Sequence, residues 1–483
     1  MSMTSMFHHL RLYSFHAIIA AGILLPTVFA QNEENTQNLS SASQTPIVAE
    51  VSESSSGGRL VTAIDVRDYG AVSSAEGDQT VAFQAALDAA KDSETQTVFV
   101  PRGNYRFDGS LTVPVGVTLV GVSESVPAHN GIRDRGMPRP TETGTTFLIC
   151  GGANTVDAEG EPLEDEPGTP FITLNTNSTI KGICFYYPDQ DPAAEPMPYP
   201  WCVAMRGKNP AILDCELLNP YLGIDASQNE RHLIRNISGQ PLKMGVWVDA
   251  IYDIGRIENV HFNPWWSMQP KLFAWQMANG VAFRFARTDW QYVINTFCFG
   301  YKIGYHFAES TSGGCNGNFL GIGADDCQTS LVVDQCAPMG LLITNGEFVS
   351  FHGPNPTMVR VSASNRGSVR FVNCAFWGPC RQIAEIDGTV DGTVGFGDCT
   401  FVQWGFATAD QPDLPACAAI HAQGGTLLVR GCEFRQNRPQ FELGEKLRKV
   451  VITDNIFTGK TQITQAATLG EPRVVIRNNA ADE

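Results

Sequence analysis

Charge is scarce in this chain of 483 residues. Asp, Glu, Lys and Arg together make up 17% of it, and the 33 basic residues are outnumbered by 50 acidic ones. The resulting net charge of −17 repels polyanions, so nucleic acid and anionic membrane surfaces are excluded as general partners. An acidic polysaccharide remains compatible where a local basic cleft exists. Paired C-x-x-C spacing is absent, which removes the common structural zinc sites. Long apolar runs are also missing after the first 30 residues, so no later stretch is long enough to cross a bilayer. The one early run, Ala17 to Phe29, follows Arg11 and ends in Val28-Phe29-Ala30, a small-residue cleavage pattern. Residues 1–30 therefore read as a secretory leader, and 31–60, rich in Gln, Asn, Ser and Glu, as a disordered linker. This predicts one domain over 61–483 in an extracellular or periplasmic setting, with oligomeric state left open.

Within that domain, Ile64 to Phe107 carries the densest local signals. Asp65 to Ala71 alternates like a short strand ending at Gly70. Thr80 to Lys91 places Val81, Phe83 (or Gln84), Ala85, Leu87 and Ala90 near helical spacing, with Asp78 as the expected N-cap. Thr97 to Val100 reads as a buried strand, and Pro101 to Tyr105 as a turn. Such a unit has more apolar face than it buries alone, so it reads as a lid on the open end of something larger.

From Gly182 a short strand ending in an aromatic or Leu recurs: GICF185, LDCEL217, ENVHF262, NTFCF299, NGEF348, NCAF376, DCTF401, GCEF434 and DNIF457. The last five are separated by 28, 25, 33 and 23 residues, an irregular period that suits a β-solenoid of about three strands per coil. Asn259, Asn373, Asn455 and Asn478 are expected to form ladders at the bends, and Cys215, Cys374, Cys399 and Cys432 to stack inside. Cys315, Cys327, Cys336, Cys380 and Cys417 read as loop cysteines and candidate bridges. Two insertions are expected, at 123–170 and 263–292.

A second strand recurs in each coil: GIDA (223–226), VWVDA (246–250), VAFRFA (281–286), GYHFA (304–308), LVVDQ (331–335), MVRVS (358–362), AEIDG (384–388) and AAIHA (418–422). Alternation sends its apolar residues inward. The outward row then reads Asp225, Asp249 with Trp247, Arg284, His306, Asp334, Arg360, Glu385 or Asp387, and His421. Asp225 and Asp249, on successive coils, fit the shorter carboxylate spacing of glycoside hydrolysis. His306 and Asp334 fit an acid–base dyad, with Arg284 and Arg360 available to hold an acidic sugar. Trp265, Trp266, Trp275, Trp290 and Tyr292 are dense enough to wall a glycan cleft over Asp249. Asp325-Asp326-Cys327, followed by His352, is both a common turn pair and a possible catalytic pair.

The stretch DVRDYGA, D-x-T-x-A-x-Q-x-A-L-D-A-A and T-V-F-V-P-x-G-x-Y-R-F resembles the N-terminal signature of the pectate-lyase superfamily, nearest its rhamnogalacturonase/epimerase-like group. The resemblance covers about a tenth of the chain. It implies an all-β fold, a right-handed parallel β-helix with a short N-terminal capping helix, and action on a polysaccharide. D-D-C with His352 resembles polygalacturonases, although their N-T-D and R-I-K motifs are not recognisable. Among the family's reactions the residues favour a glycoside hydrolase on an acidic or pectin-like glycan. A lyase or uronate epimerase is the alternative, and for a lyase Asp225 and Asp249 would hold Ca²⁺ beside Arg284. A third reading is a non-catalytic glycan-binding or scaffold protein.

The linker composition cannot bury enough apolar surface to fold. Deleting 31–60 is therefore expected to leave the thermal unfolding midpoint unchanged in a circular-dichroism melt. A drop of several degrees would show that the segment packs on the domain.

Overall fold

A computed structural model describes residues 63–129, 139–387, 392–407, 412–413, 415–466 and 468–483. The leader and linker expected at 1–30 and 31–60 lie outside them. The described residues wind into a right-handed parallel β-helix. Each coil contributes a strand to three sheets, here called A, B and C. Sheet A includes Leu222–Ser227, Met244–Asp249, Val281–Phe285, Ile303–Phe307, Thr329–Val333, Thr357–Val361 and Gln382–Ile386. Sheet B includes Thr288–Ile294, Cys315–Leu320, Cys336–Thr344 and Ser368–Val372. Sheet C includes Phe297–Phe299, Gly323–Asp325, Glu347–Phe348 and Ala375–Phe376.

Sheet B passes to sheet C through a single left-handed residue. Asp214, Asn236, Asn259, Asn295, Asn345, Asn373, Asp398, Asp454 and Asn478 occupy this bend with φ between 52° and 61°, and Gly182, Gly321 and Gly431 replace them in other coils. Asn and Asp tolerate this backbone region because their short polar side chains bond locally. The side chains also bond between coils: the Asn236 amide donates to Asp214 at 2.7 Å, Asn259 to Asn236 at 2.9 Å and Asn373 to Asn345 at 2.8 Å. Asn455 lies one residue past its bend. It is buried, accepts the Cys432 N–H at 2.9 Å and donates to the Val429 carbonyl at 3.2 Å.

Inside, sheet C stacks Phe348, Phe376, Phe401 and Phe434 with ring centroids 5.3, 5.2 and 4.5 Å apart. Each such ring contributes on the order of 2–3 kcal/mol through burial. Cys374, Cys399 and Cys432 form a second stack beside them, as expected, with Cys215 also enclosed. Of the five cysteines expected in loops, Cys327, Cys380 and Cys417 do lie between strands, Cys315 and Cys336 are corrected to strand positions, and none of the five forms the bridge considered for it. Cys315 and Cys336 sit opposite each other in sheet B, Cys327 is enclosed near Cys298, and all thirteen cysteines are unbridged. Cys202, Cys215, Cys298, Cys315, Cys327, Cys336, Cys374, Cys380, Cys399 and Cys432 belong to the core and serve as small apolar filling, whereas Cys184 is buried outside the coil and Cys150 and Cys417 are half-buried.

The cap differs in detail from its sequence reading. Ile64–Asp65 is a strand, Val66–Tyr69 a 3-10 turn, and Gly103–Phe107 a strand where a turn was expected. The helix Thr80–Ala90 buries Phe83, Ala86, Leu87 and Ala90, while Val81 is 80% exposed and Ala85 faces out. Asp78, one residue ahead of the cap position, accepts the Thr80 N–H at 3.0 Å and the Asp108 N–H at 3.1 Å. Phe83 meets Tyr105, Phe107 and Phe147 edge-on, which closes the end of the coil.

The insertions are shorter than expected, because coil strands run through both spans. Thr145–Ile149 belongs to sheet C, and Val281–Phe285 and Thr288–Ile294 belong to sheets A and B. In the first insertion His129 gives its backbone N–H to Glu216 at 2.9 Å and its imidazole to the same carboxylate, at a fully enclosed site. The second carries a helix, Pro270–Asn279, seated by Leu272, Phe273 and Gln276.

Native protein treated with a thiol reagent is expected to leave Cys374, Cys399 and Cys432 unlabelled, and all three should react after unfolding. A disulfide mapped to any of them would reject the interior stack.

Candidate functional site

Register decides which outward side chains of sheet A are neighbours. The pairing runs Ala204, Asp225, Trp247, Arg284, His306, Val332, Arg360, Glu385 and His421. Asp249 is opposite Ser227, two residues further along its strand. Asp334 and Asp387 likewise lie two residues past Val332 and Glu385. The single row expected from sequence is thus two parallel rows. A two-residue slip keeps the same face outward, so alternation alone does not detect it.

This splits the pair Asp225 and Asp249. One coil and two residues separate them, about 8 Å along the backbone. Asp225 is nearly enclosed, ion-paired to Arg206, and its other oxygen accepts the Ser227 N–H at 3.0 Å. Asp249 Oδ1 accepts the Ala250 N–H at 2.8 Å, the Arg287 N–H at 3.0 Å and the Ser310 hydroxyl at 2.8 Å. Both carboxylates are tied to the turns, not shared across a cleft. They do not converge on one point as Ca²⁺ ligands would, so the expected cation set does not fit. Among the described residues one His/Cys/Glu group does come together: His129, Cys184 and Glu216. It is enclosed on the outer side of sheet C, and both Glu216 oxygens are taken by His129.

The dyad forms. His306 Nε2 lies 2.6 Å from Asp334 Oδ2, and Asp334 Oδ1 accepts the Ser362 hydroxyl at 2.8 Å. The His306 hydrogen bond holds the Asp334 carboxyl below its ordinary value despite partial burial, with Ser362 and Arg284 acting in the same direction. Arg284 is next to His306 in register and stacks its guanidinium 4.8 Å from the Trp247 ring centre. Burial pulls Arg284 below its ordinary value against Asp334 and Asp249, and its Nε is enclosed without a partner. Arg360 is bound to Glu385 at 3.0 Å, and burial beside Glu385 raises Asp387.

The remaining expected residues fall elsewhere. Trp265 packs against His261 with the rings tilted by 59° and their centres 4.6 Å apart, over the outer face of sheet C. Trp266 approaches Tyr186 and its N–H binds Gln240. Tyr292 pairs with Arg256 and Asn318 on the outer face of sheet B. None of these three walls the sheet A row, because the insertion folds over the bend from sheet C rather than across the strands. Asp325 ends a sheet C strand, and Asp326 takes the left-handed conformation in the bend leading to sheet A. Asp326 accepts from His352 Nδ1 at 2.9 Å, and His352 Nε2 is enclosed without a partner. Arg206, Ser310 and Ser362 were missed. Their signal was positional, since Arg206 and Ser362 occupy the same second row as Asp249 and Asp334.

These features define a pectate-lyase-like parallel β-helix protein whose sheet A carries Trp247, Arg284, His306 and Asp334 together. Residues 63–156 match the family model described as rhamnogalacturonase A/epimerase, pectate lyase-like. The chain is 41% identical to mannuronan C5-epimerase AlgE3 of Azotobacter vinelandii over 64 residues, 12% of this chain and 4% of that protein. It therefore spans only a small part of its curated relatives' length. The A-module of mannuronan C-5 epimerase AlgE6 from the same organism is 15% identical, with a TM-score of 0.37 over 87% of this chain and 99% of that one. DFA-IIIase from Arthrobacter chlorophenolicus A6 is 9% identical, with a TM-score of 0.46 over 86% and 98%. The relatives are carbohydrate-active enzymes.

The Asp249 bonds generate a test. Asp249→Ala is expected to lower stability by about 2–3 kcal/mol, because two backbone N–H groups and a hydroxyl lose their acceptor. Asp249→Asn keeps Oδ1 and should melt near the parent. Denaturant unfolding of both variants decides it, and equal stability of the Ala variant would overturn the tether.

Proposed function

We propose that the protein is an extracellular enzyme acting on a uronate-bearing polysaccharide, and that it removes the proton α to the uronate carboxylate. The observation carrying this reading is the His306–Asp334 dyad with Arg284 beside it in register. Asp334 accepts a hydrogen bond from His306 Nε2–H, which leaves Nδ1 as the proton acceptor. Nδ1 abstracts the sugar's C5 proton, and the C–H electron pair passes into the carboxylate as an enolate. Arg284, held flat by Trp247, neutralises that developing charge in a site partly closed to water. Expulsion of the C4 oxygen, which takes a proton from water, then gives an unsaturated sugar, whereas protonation of C5 by water on the other face gives the epimer; in both cases His306 returns its proton to solvent. The curated relatives are named for C5 epimerisation of mannuronan, a reaction of this class. The extracellular setting rests on the leader expected at 1–30.

One observation favours hydrolysis as a second reading. Asp387 is raised by burial and Glu385, Asp334 is lowered by His306, and the two lie two coils apart, about 10 Å. Environments that push two carboxyls apart mark acid and base roles, near the spacing of an inverting hydrolase.

Alginate and polygalacturonate are the substrates for the test. The proton-abstraction reading expects new ultraviolet absorbance from an unsaturated uronate, or a changed proton spectrum without cleavage. His306→Ala should lower turnover by about 10²–10⁴-fold with an unchanged melt. Reducing ends without ultraviolet absorbance, abolished by Asp387→Asn, would replace this reading with hydrolysis.

A further inference from the structure

On the other side of the turns that follow sheet A lies a cleft of about 730 Å³ that none of the chemistry above uses. Four successive coils line it, through Tyr252 to Ile254, then Arg287, Asp289 and Trp290, then Asn316 to Asn318, and last Met339, Gly340 and Leu342. Its length is about three coil spacings, or 14 Å, room for about two or three pyranose rings. Tyr252 is 59% exposed, Trp290 63%, Met339 68% and Leu342 46%. Large apolar side chains grouped in one open cleft mark a binding surface, whereas single ones need no explanation.

Trp290 is held out deliberately. Its φ is +57°, a left-handed conformation that a bulky residue rarely adopts, and its N–H is fixed by Asn316 Oδ1 at 3.1 Å. Arg287 places its guanidinium 5.5 Å from the Tyr252 ring centre and binds Asp289 at 2.9 Å, while its enclosed Nε lacks a partner. Asp253 is paired with Arg231. The charges cancel pair by pair, so the cleft attracts neither a polyanion nor a polycation as such. It offers flat aromatic faces beside donors and acceptors in fixed positions. That combination suits a sugar ring, which has an apolar C–H face and a rim of hydroxyls.

We propose that this cleft is a second glycan-binding site, which holds two or three sugar units of a polymer away from the sheet A row. The two sites share a ridge: the Arg287 backbone is bonded to Asp249 at the end of a sheet A strand, and its side chain lines the cleft. A polymer held there raises its own effective concentration at the sheet A row. This inference rests on the reading of sheet A as a glycan-acting site, and the experiment separates the two.

The full chain is run through native gels containing alginate, polygalacturonate or a neutral β-glucan. His306→Ala, which should not consume polymer, is expected to be retarded in at least one of them as strongly as the parent. Combining Tyr252→Ala with Trp290→Asn should weaken that retardation at least fivefold with an unchanged melt, since Asn accepts the left-handed backbone. On short oligouronates the double variant should turn over as the parent does, and on polymer its KM should rise about fivefold at constant kcat. Equal retardation of the double variant overturns the proposal, as does absence of retardation in all three gels. A parent dimer that the double variant dissociates would make the cleft a self-association surface and also overturn it. Full activity of His306→Ala would instead remove the sheet A reading, with the retardation comparison still decided separately.

Discussion

A single left-handed residue between sheets B and C lets each coil change direction without a loop, and most of the molecule's order follows from it. The bend fixes where the next strand begins, so Asn236, Asn259 and their equivalents come into stack and bond between coils. With the bend fixed, the Phe348–Phe434 column and the cysteine stack align inside. Register on sheet A is set at a distance by the same device. A coil that slipped by one residue would turn Arg284 and His306 into the core and expose Phe283 and Phe285.

On that scaffold the outward carboxylates are sorted by what already binds them. Asp225 is occupied by Arg206, and Asp249 by two amides and a hydroxyl. Glu385 is held by Arg360. Asp334 differs, because its partners are an imidazole and a hydroxyl that leave His306 Nδ1 uncommitted. A carboxylate so placed orients the imidazole, and the neighbouring guanidinium is the counter-charge that the proposed proton abstraction would use. The sorting, more than the number of acids, separates structural groups from those available for chemistry.

Much of this was legible in the residues. The aromatic-ended repeat, the sheet A strands from Val246 to Ala422, and the Cys374–Cys399–Cys432 stack were all readable, because period-2 alternation reports which face is buried. Alternation reports position only modulo two, so Asp249 and Asp334 merged into the row of Asp225 and His306. The aromatic insertion was misplaced for another reason. Density of Trp says that rings will find a surface, but the surface chosen depends on side chains distant in sequence. Gln240 and His261 drew Trp266 and Trp265 to the sheet C side. Cys315 and Cys336 read as loop residues because Gly and Asn surround them, yet strand pairing enclosed both.

The turns after sheet A therefore serve two faces at once. Their backbone is anchored by Asp249 through Arg287 and Ser310, which makes the ridge stiff. A stiff ridge is what allows Trp290 to persist with its ring in solvent and its backbone in a costly conformation, since the surrounding bonds over-determine it. Asp249 is thus an anchor of the turn that carries Arg287, at the ridge between the sheet A row and the cleft.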